Sequence, residues 1–279
     1  MAALFGRFRQ TVALFDDDVV APIDYPGLAE GLRVYAIGDI HGRADLVRSL
    51  FARIDADRAT SESGDEAIEV YLGDYIDKGP RSADVIELLM ERATIRPCVF
   101  LRGNHEELLL AFIRGEATAA MAAKWLSFGG TATALSYGVT RIPAVQDGTD
   151  PQFARDLSDK VPETHMAFLD RTVTQFVVPP YAFVHAGVRP SVAMVQQDEH
   201  DLMWIRDAFL NYEGPLEHII VHGHTPAMAI EFRANRINVD TGAYATGRLS
   251  CIRLDPSGVW VLPTAETASI GHVSGSGRL

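Results

Sequence analysis

From Arg33 onward, short apolar runs alternate with stretches whose apolar side chains recur at helical spacing. The pattern predicts strands over 33–37, 67–72 and 98–101, helices over 44–55 and 82–92, and a third helix from about 105. In the first helix Leu46, Val47, Leu50, Phe51 and Ile54 share a face, and Ser82, after Pro80 and Arg81, is placed to cap the second. Right-handed crossovers set these three strands side by side and parallel. Residues 115–175, with an alanine-rich run and the Gly129-Gly130 pair, read as a mostly helical insert joined by loops, a wall over a site. Beyond it, runs at 174–178, 181–184, 218–221, 228–232, 236–239, 249–254 and 259–262 are short and closely spaced, which predicts a second, mixed or antiparallel sheet. Two sheets with helices outside them follow. The expected organisation is an N-terminal arm over 1–32, one domain over 33–264 and a flexible tail over 265–279.

A chain of 279 residues with 47% apolar and 22% charged residues is long enough for a large core and is neither disordered nor membrane-embedded in character. No segment reaches the roughly 18 apolar residues of a membrane span. The first apolar stretch is broken by Arg7 and Arg9 and closed by Asp16, Asp17 and Asp18, unlike a signal peptide, so the cytoplasm is the expected compartment. Cys98 and Cys251 each sit in an apolar run and read as small buried hydrophobes, with no disulfide framework. Lys and Arg number 25 against 37 Asp and Glu, a net charge of −12, which argues against a nucleic-acid or anionic-membrane surface. Such a chain can hold a phosphoryl group only by concentrating positive charge locally, through metal ions or a few placed Arg and Lys.

The polar residues that could do so fall at strand ends. Each opening strand runs into a glycine-bracketed cluster: Gly38-Asp39-Ile40-His41-Gly42, then Gly73-Asp74-Tyr75-Ile76-Asp77-Lys78-Gly79, then Gly103-Asn104-His105-Glu106. Ligands of open α/β sheets bind outside the carboxyl ends of strands, so the three clusters are expected to converge. Asp39 and His41, two apart, can grip one ion, and Asp74 arrives beside them with two oxygens able to bridge two cations. Asn104 offers a neutral oxygen, and His185 and His224 offer imidazole nitrogens. That mixed N/O set suits manganese, iron or zinc better than calcium, and two such ions can ionise a shared water and clamp a phosphoryl oxygen.

Together with His185-Ala186-Gly187 and Gly223-His224-Thr225, these clusters resemble the five blocks of the phosphoprotein phosphatase branch of the calcineurin-like metallophosphoesterases, over about residues 33–262. Bacterial and phage members, including symmetrical diadenosine tetraphosphate hydrolases, are nearest in style. The resemblance implies a four-layer αββα sandwich with a helical insert. It implies two divalent ions, manganese first with iron or zinc as alternatives: Asp39 and His41 on the first, Asp74 bridging, and Asn104, His185 and His224 on the second. His105 would protonate the leaving group, with Asp77 holding its imidazole, while a metal-bound hydroxide attacks phosphorus. Arg206, after Trp204, and Lys78, where the family has arginine, would hold phosphate. His222 is read as structural, because the Gly-His-Thr register selects His224. Arg102 and Arg248 are weaker phosphate candidates. His165, His200, His218 and His272 carry no motif, and Trp125 and Phe128 read as core of the insert. The implied activity is phosphomonoester hydrolysis on phosphoserine or phosphothreonine proteins, with symmetrical dinucleoside polyphosphate hydrolysis as the alternative. A non-catalytic phosphate-binding module would lack a ligand or the acid, and this chain lacks neither.

Overall fold

Residues Leu32–Ile37 alternate sides: Val34 and Ala36 enter one apolar core, Tyr35 and Ile37 another. A strand buried on both faces needs a second layer on each, and this protein supplies them. The structure, a computed structural model, describes residues 12–14, 25–60, 66–144 and 150–262. Most of the arm and all of the tail, His272 included, lie outside the described residues.

The first half reads β1 (Val12–Leu14), β2 (Leu32–Ile37), α1 (Ala44–Ala59), β3 (Glu66–Tyr71), α2 (Ser82–Ile95), β4 (Cys98–Phe100) and α3 (Asn104–Ile113). Four further helices follow, α4 (Ala119–Trp125), α5 (Thr131–Ser136), α6 (Pro151–Lys160) and α7 (Glu163–Asp170), with a π-helical turn, Leu126–Gly130, between the first two. The second half reads β5 (Gln175–Val178), β6 (Tyr181–Val184), α8 (Glu199–Trp204), α9 (Asp207–Leu210), β7 (Ile219–His222), β8 (Ile230–Arg233), β9 (Arg236–Asn238), α10 (Ala243–Thr246), β10 (Cys251–Asp255) and β11 (Gly258–Leu262).

One sheet has the order β11-β10-β2-β3-β4, with β2, β3 and β4 parallel as expected. The other has the order β1-β8-β9-β7-β6-β5 and is mixed, with β6, β7 and β9 parallel. Val34, Ala36, Val70, Phe183, Val221 and Ile237 are among the side chains that fill the space between the sheets. Helices α1 to α7 cover the outer face of the first sheet around Trp125, and α8 and α9 cover the second through Leu202 and Phe209.

Three expectations are corrected. The runs at 249–254 and 259–262 do not join the second sheet: β10 lies antiparallel to β2, Ile252 opposite Ala36, and so extends the first. β11 is apolar on both faces, whereas β10 carries Arg253 and Asp255 on the same face as Cys251. Ser82 is not the cap of α2 but its first residue, fully buried, with Arg81 at the cap position. Phe128 is not core, since its ring stays 38% exposed. Of the two free cysteines Cys251 is buried and Cys98 only half-buried.

Candidate metal centre

The carboxyl ends of β2, β3 and β4 open onto the Asp39, Asp74 and Asn104 clusters, and those of β6, β7 and β9 onto His185, His224 and Asp240. Six parallel strand ends from two sheets thus meet at one edge of the sandwich. The backbone there is bent to match. Of the six non-glycine residues with positive φ among those described, His41, Asp74, Asp77, Lys78 and His224 belong to this cluster. Left-handed backbone at non-glycine residues is uncommon and persists where surroundings enforce it, which concentrates it at sites. Glu106 is one enforcer: buried in the first turn of α3, it accepts hydrogen bonds from the backbone N–H of Asp74, Tyr75 and Gly103 at 2.8, 2.8 and 2.9 Å. Burial pushes its carboxyl up to about 7. Gly103 is the close approach this needs, because a Cβ there would stand 2.1 Å from Asp74 Oδ1.

The donor atoms converge in two overlapping groups, His41, Asp74 and His105, and Asp74, His185 and His224, each with its atoms within 4.8 Å of one another. Asp74 is common to both, with Oδ2 3.4 Å from His41 Nε2 and Oδ1 3.3 Å from His185 Nε2. Asn104 Oδ1 lies 3.0 Å from His185 Nε2 and 2.8 Å from His224 Nδ1. Asp39 accepts from the His224 backbone N–H at 3.0 Å. Every one of these side chains is buried.

The tautomers follow from the neighbours. His41 Nδ1 faces the Ile76 carbonyl and His185 Nδ1 the Leu72 carbonyl, both at 2.8 Å. A carbonyl only accepts, so each Nδ1 carries the hydrogen and each Nε2 presents a lone pair toward the oxygens of Asp74, and for His185 also of Asn104. Lone pairs aimed at oxygens, all out of water, repel unless positive charge lies among them, and the Lys78 ammonium, 2.8 Å from His41 Nε2, supplies only part of it. Burial also works against protonating the rings, holding His41 and His185 below the usual histidine range and His224 down to about 2. Asp39 is pushed up by burial and by the Asp240 and Asp74 carboxylates. The residues therefore fit divalent ions, which take up lone pairs and offset clustered carboxylates without protons.

Beside this cluster His105 Nδ1 lies 2.7 Å from Asp77 Oδ2, and His105 Nε2 faces Asp74 Oδ2 at 3.6 Å. Burial lowers the His105 pKa, but the Asp74 charge and the Asp77 hydrogen bond overcome it and hold the ring above the usual range. Lys78 reaches inward, its Nζ 2.8 Å from His41 Nε2 and 4.6 Å from the centre of the Tyr244 ring. Arg206 stands exposed at the rim, 3.4 Å from the hydroxyl of Thr225, the residue after His224. Asp201, a possible partner for it, pairs with Arg189 instead. Arg102 braces a loop through Thr172 and the carbonyls of Leu169 and Asp170. Arg248 donates to the Met228 carbonyl. His222 turns away from the centre, its ring against Phe209, and burial drops its pKa to about 3.

Several residues at the centre escaped the sequence reading. Asp240 is buried, is pushed up to about 6 by burial, and accepts from Gly242 N–H at 2.8 Å. Its setting, a strand followed by Asp240-Thr241-Gly242, repeats the strand-end signature and could have been found by it. Tyr244, 40% exposed beside the His41 ring, and Trp125, bonded to Asp77, had no such signal.

The calcineurin-like phosphoesterase family model matches residues 32–238, and the chain belongs to that family. It is a metallophosphoesterase, a hydrolase that binds divalent metal and acts on phosphorylated substrates. It is 27% identical over 236 residues, 79% of this chain and 92% of the relative, to serine/threonine-protein phosphatase 2 of Escherichia coli strain K12. It is 23% identical over 231 residues, 80% of this chain and 88% of the relative, to the asymmetrical bis(5'-nucleosyl)-tetraphosphatase PrpE of Oceanobacillus iheyensis. Among solved structures, a provisionally named diadenosine tetraphosphatase superposes with TM-score 0.55 at 19% identity, covering 86% of this chain and 98% of that one. A cold-active protein tyrosine phosphatase superposes with TM-score 0.53 at 14% identity, covering 85% and 81%. These two likenesses show the shared fold. Among the described residues no helix is long and apolar enough to cross a membrane.

Proposed function

We propose that this protein is a two-metal, manganese-dependent phosphomonoesterase whose substrates are phosphoserine and phosphothreonine proteins. Asp39 and His41 would hold one ion, Asn104, His185 and His224 the other, with Asp74 shared. When bound, the ions supply the charge that lowers the pKa of water and offsets the phosphoryl oxygens. The observation that carries the reading is the pair of imidazole lone pairs, on His41 and His185, turned toward the two oxygens of Asp74. The mixed nitrogen and oxygen donors suit manganese, iron or zinc better than calcium, and manganese is the ion proposed.

The chain's own residues do the rest. Arg206, exposed and next to His224, meets the phosphate from outside, and Lys78 adds charge from the His41 side. His105, protonated and held by Asp77, gives its Nε2 proton to the leaving oxygen. The protein substrate is supported by the Escherichia coli phosphatase, the more similar of the two relatives described. A second reading, dinucleoside polyphosphate hydrolysis, is favoured by Phe128 and Tyr244, exposed rings beside His105 and His41 that offer stacking faces to a base.

The test is kcat/KM with manganese on a phosphoserine peptide and on diadenosine tetraphosphate. A higher value on the peptide supports the first reading and a higher value on the dinucleotide the second. With the dinucleotide, two ADP would mark symmetrical cleavage, and ATP plus AMP the asymmetrical cleavage named for the relative.

A further inference from the structure

Asp77 accepts more than the His105 hydrogen bond. Trp125 Nε1 donates to its Oδ2 at 3.0 Å, and Thr133 Oγ1 donates to its Oδ1 at 2.5 Å. The Asp77 backbone N–H returns to Thr133 Oγ1 at 2.8 Å and to Ser82 Oγ at 3.1 Å. Asp77, Trp125 and Thr133 have no solvent exposure, and His105 has 3%. A carboxylate so enclosed has little freedom to rotate and no water to exchange with.

The insert is shaped to make this arrangement. Trp125 ends α4 and Thr133 lies in the first turn of α5. On one straight helix residues eight apart are about 12 Å apart along the axis, too far to share one carboxylate. The π-helical turn, with Gly129 at φ 106°, breaks the helix so that both side chains reach Asp77. Gly130 allows the fold-back, since a Cβ there would stand 2.4 Å from the Trp125 indole. The Lys78 backbone N–H donates to the Gly129 carbonyl at 3.3 Å, tying the turn to the Asp77 loop.

We propose that Trp125 and Thr133 are positioning residues for phosphoester cleavage, acting through Asp77 on His105. Their donated hydrogen bonds fix the carboxylate so that His105 keeps its hydrogen on Nδ1 and directs Nε2 at the leaving oxygen. In the step they serve, water oxygen bonds to phosphorus and the phosphorus–oxygen bond of the leaving group breaks. The electron pair stays on the leaving oxygen, which takes the Nε2 proton and leaves a neutral imidazole. The inference rests on His105 being that proton donor.

The test compares Trp125→Phe, Thr133→Val and Thr133→Ser with His105→Asn, all loaded with manganese, on 2,4-dinitrophenyl phosphate and on phenyl phosphate. The first leaving group needs no proton and the second does. Trp125→Phe and Thr133→Val are expected to lose kcat about tenfold or more on phenyl phosphate, with KM unchanged, and to lose much less on the dinitrophenyl ester. Thr133→Ser, which keeps the hydroxyl, is expected to restore the phenyl phosphate rate. A merely structural role would lower both rates alike. If His105→Asn loses more on phenyl phosphate while Trp125→Phe and Thr133→Val lose both rates equally or neither, the positioning role is overturned and the acid assignment stands. If His105→Asn shows no dependence on the leaving group, both fall. Should Trp125→Phe fail to fold, the Thr133 pair decides.

Discussion

His105 Nδ1 lies 2.7 Å from Asp77 Oδ2, with both side chains shielded from solvent. Because a carboxylate only accepts, this contact assigns the Nδ1 hydrogen and leaves Nε2 facing the donor cluster. His105 belongs to a donor group with His41 and Asp74, and under the proposed function it delivers a proton rather than holding an ion. Replacing it with asparagine is expected to lower kcat on para-nitrophenyl phosphate by about 10²–10⁴-fold. Metal content, measured by elemental analysis, is expected to stay that of the parent, and a loss of metal alongside activity would make His105 a ligand instead.

Chelation should abolish turnover, and added manganese should restore it. Chelation should also lower the melting temperature, because the ions bind only the folded centre and their removal leaves the Asp39 carboxyl buried beside those of Asp240 and Asp74. Asp74→Asn is expected to impair both positions, since Asp74 belongs to both donor groups. Two ions per chain in that variant by elemental analysis, with activity retained, would refute the bridge.

Arg206 is exposed and reaches the Thr225 hydroxyl, so its removal is expected to leave the fold intact. Arg206→Ala is expected to raise KM for para-nitrophenyl phosphate about 10-fold or more, the loss of one charge-assisted hydrogen bond of about 1.5–3 kcal/mol. Lys78→Ala should have the smaller effect, because Lys78 is turned toward His41. Steady-state kinetics with an unchanged thermal melt check both.

His222 supplies a pH signature. Burial lowers its pKa to about 3 in the folded chain, while the unfolded chain has a histidine near 6.5. Below about pH 6.5 the unfolded state binds a proton that the folded state refuses, so stability falls as pH drops toward 3. The slope attributable to this one group is about 1.4 kcal/mol per pH unit. Urea unfolding of the manganese-loaded protein from pH 7 to 5 should show a shallower fall in His222→Asn than in the parent, whatever the variant costs at pH 7. Equal slopes would mean that His222 titrates normally.

Much of the fold is legible in the chain because strand and helix periods are local. The run at 181–184 is strand β6 as drawn, and the opening helices begin within a residue of their predicted starts. The strand-end clusters are legible because glycine and carboxylate side by side leave few readings other than a tight polar turn. Ser82 shows the limit. A serine before an apolar stretch is a cap by local rule, and here tertiary contact claims its hydroxyl for the Asp77 backbone. Trp125 reads as core by composition and is core, yet its one polar atom is spent on Asp77. Nothing in the spacing of residues 77 and 125 relates them.

By itself, then, the sequence determined which polar residues stand at strand ends: Asp39, His41, Asp74, Asn104, His105, His185 and His224, because the alternation of apolar side chains places those ends before any contact is known. Only the tertiary structure decided which sheet receives β10 and β11, which ring nitrogen of each histidine faces Asp74, and that Trp125 and Thr133 close on Asp77. The physical reason is range. Periodicity and turn chemistry act over a few neighbouring residues, whereas a hydrogen bond across the 48 or 56 residues that separate Trp125 and Thr133 from Asp77 exists only after the core has brought the segments together.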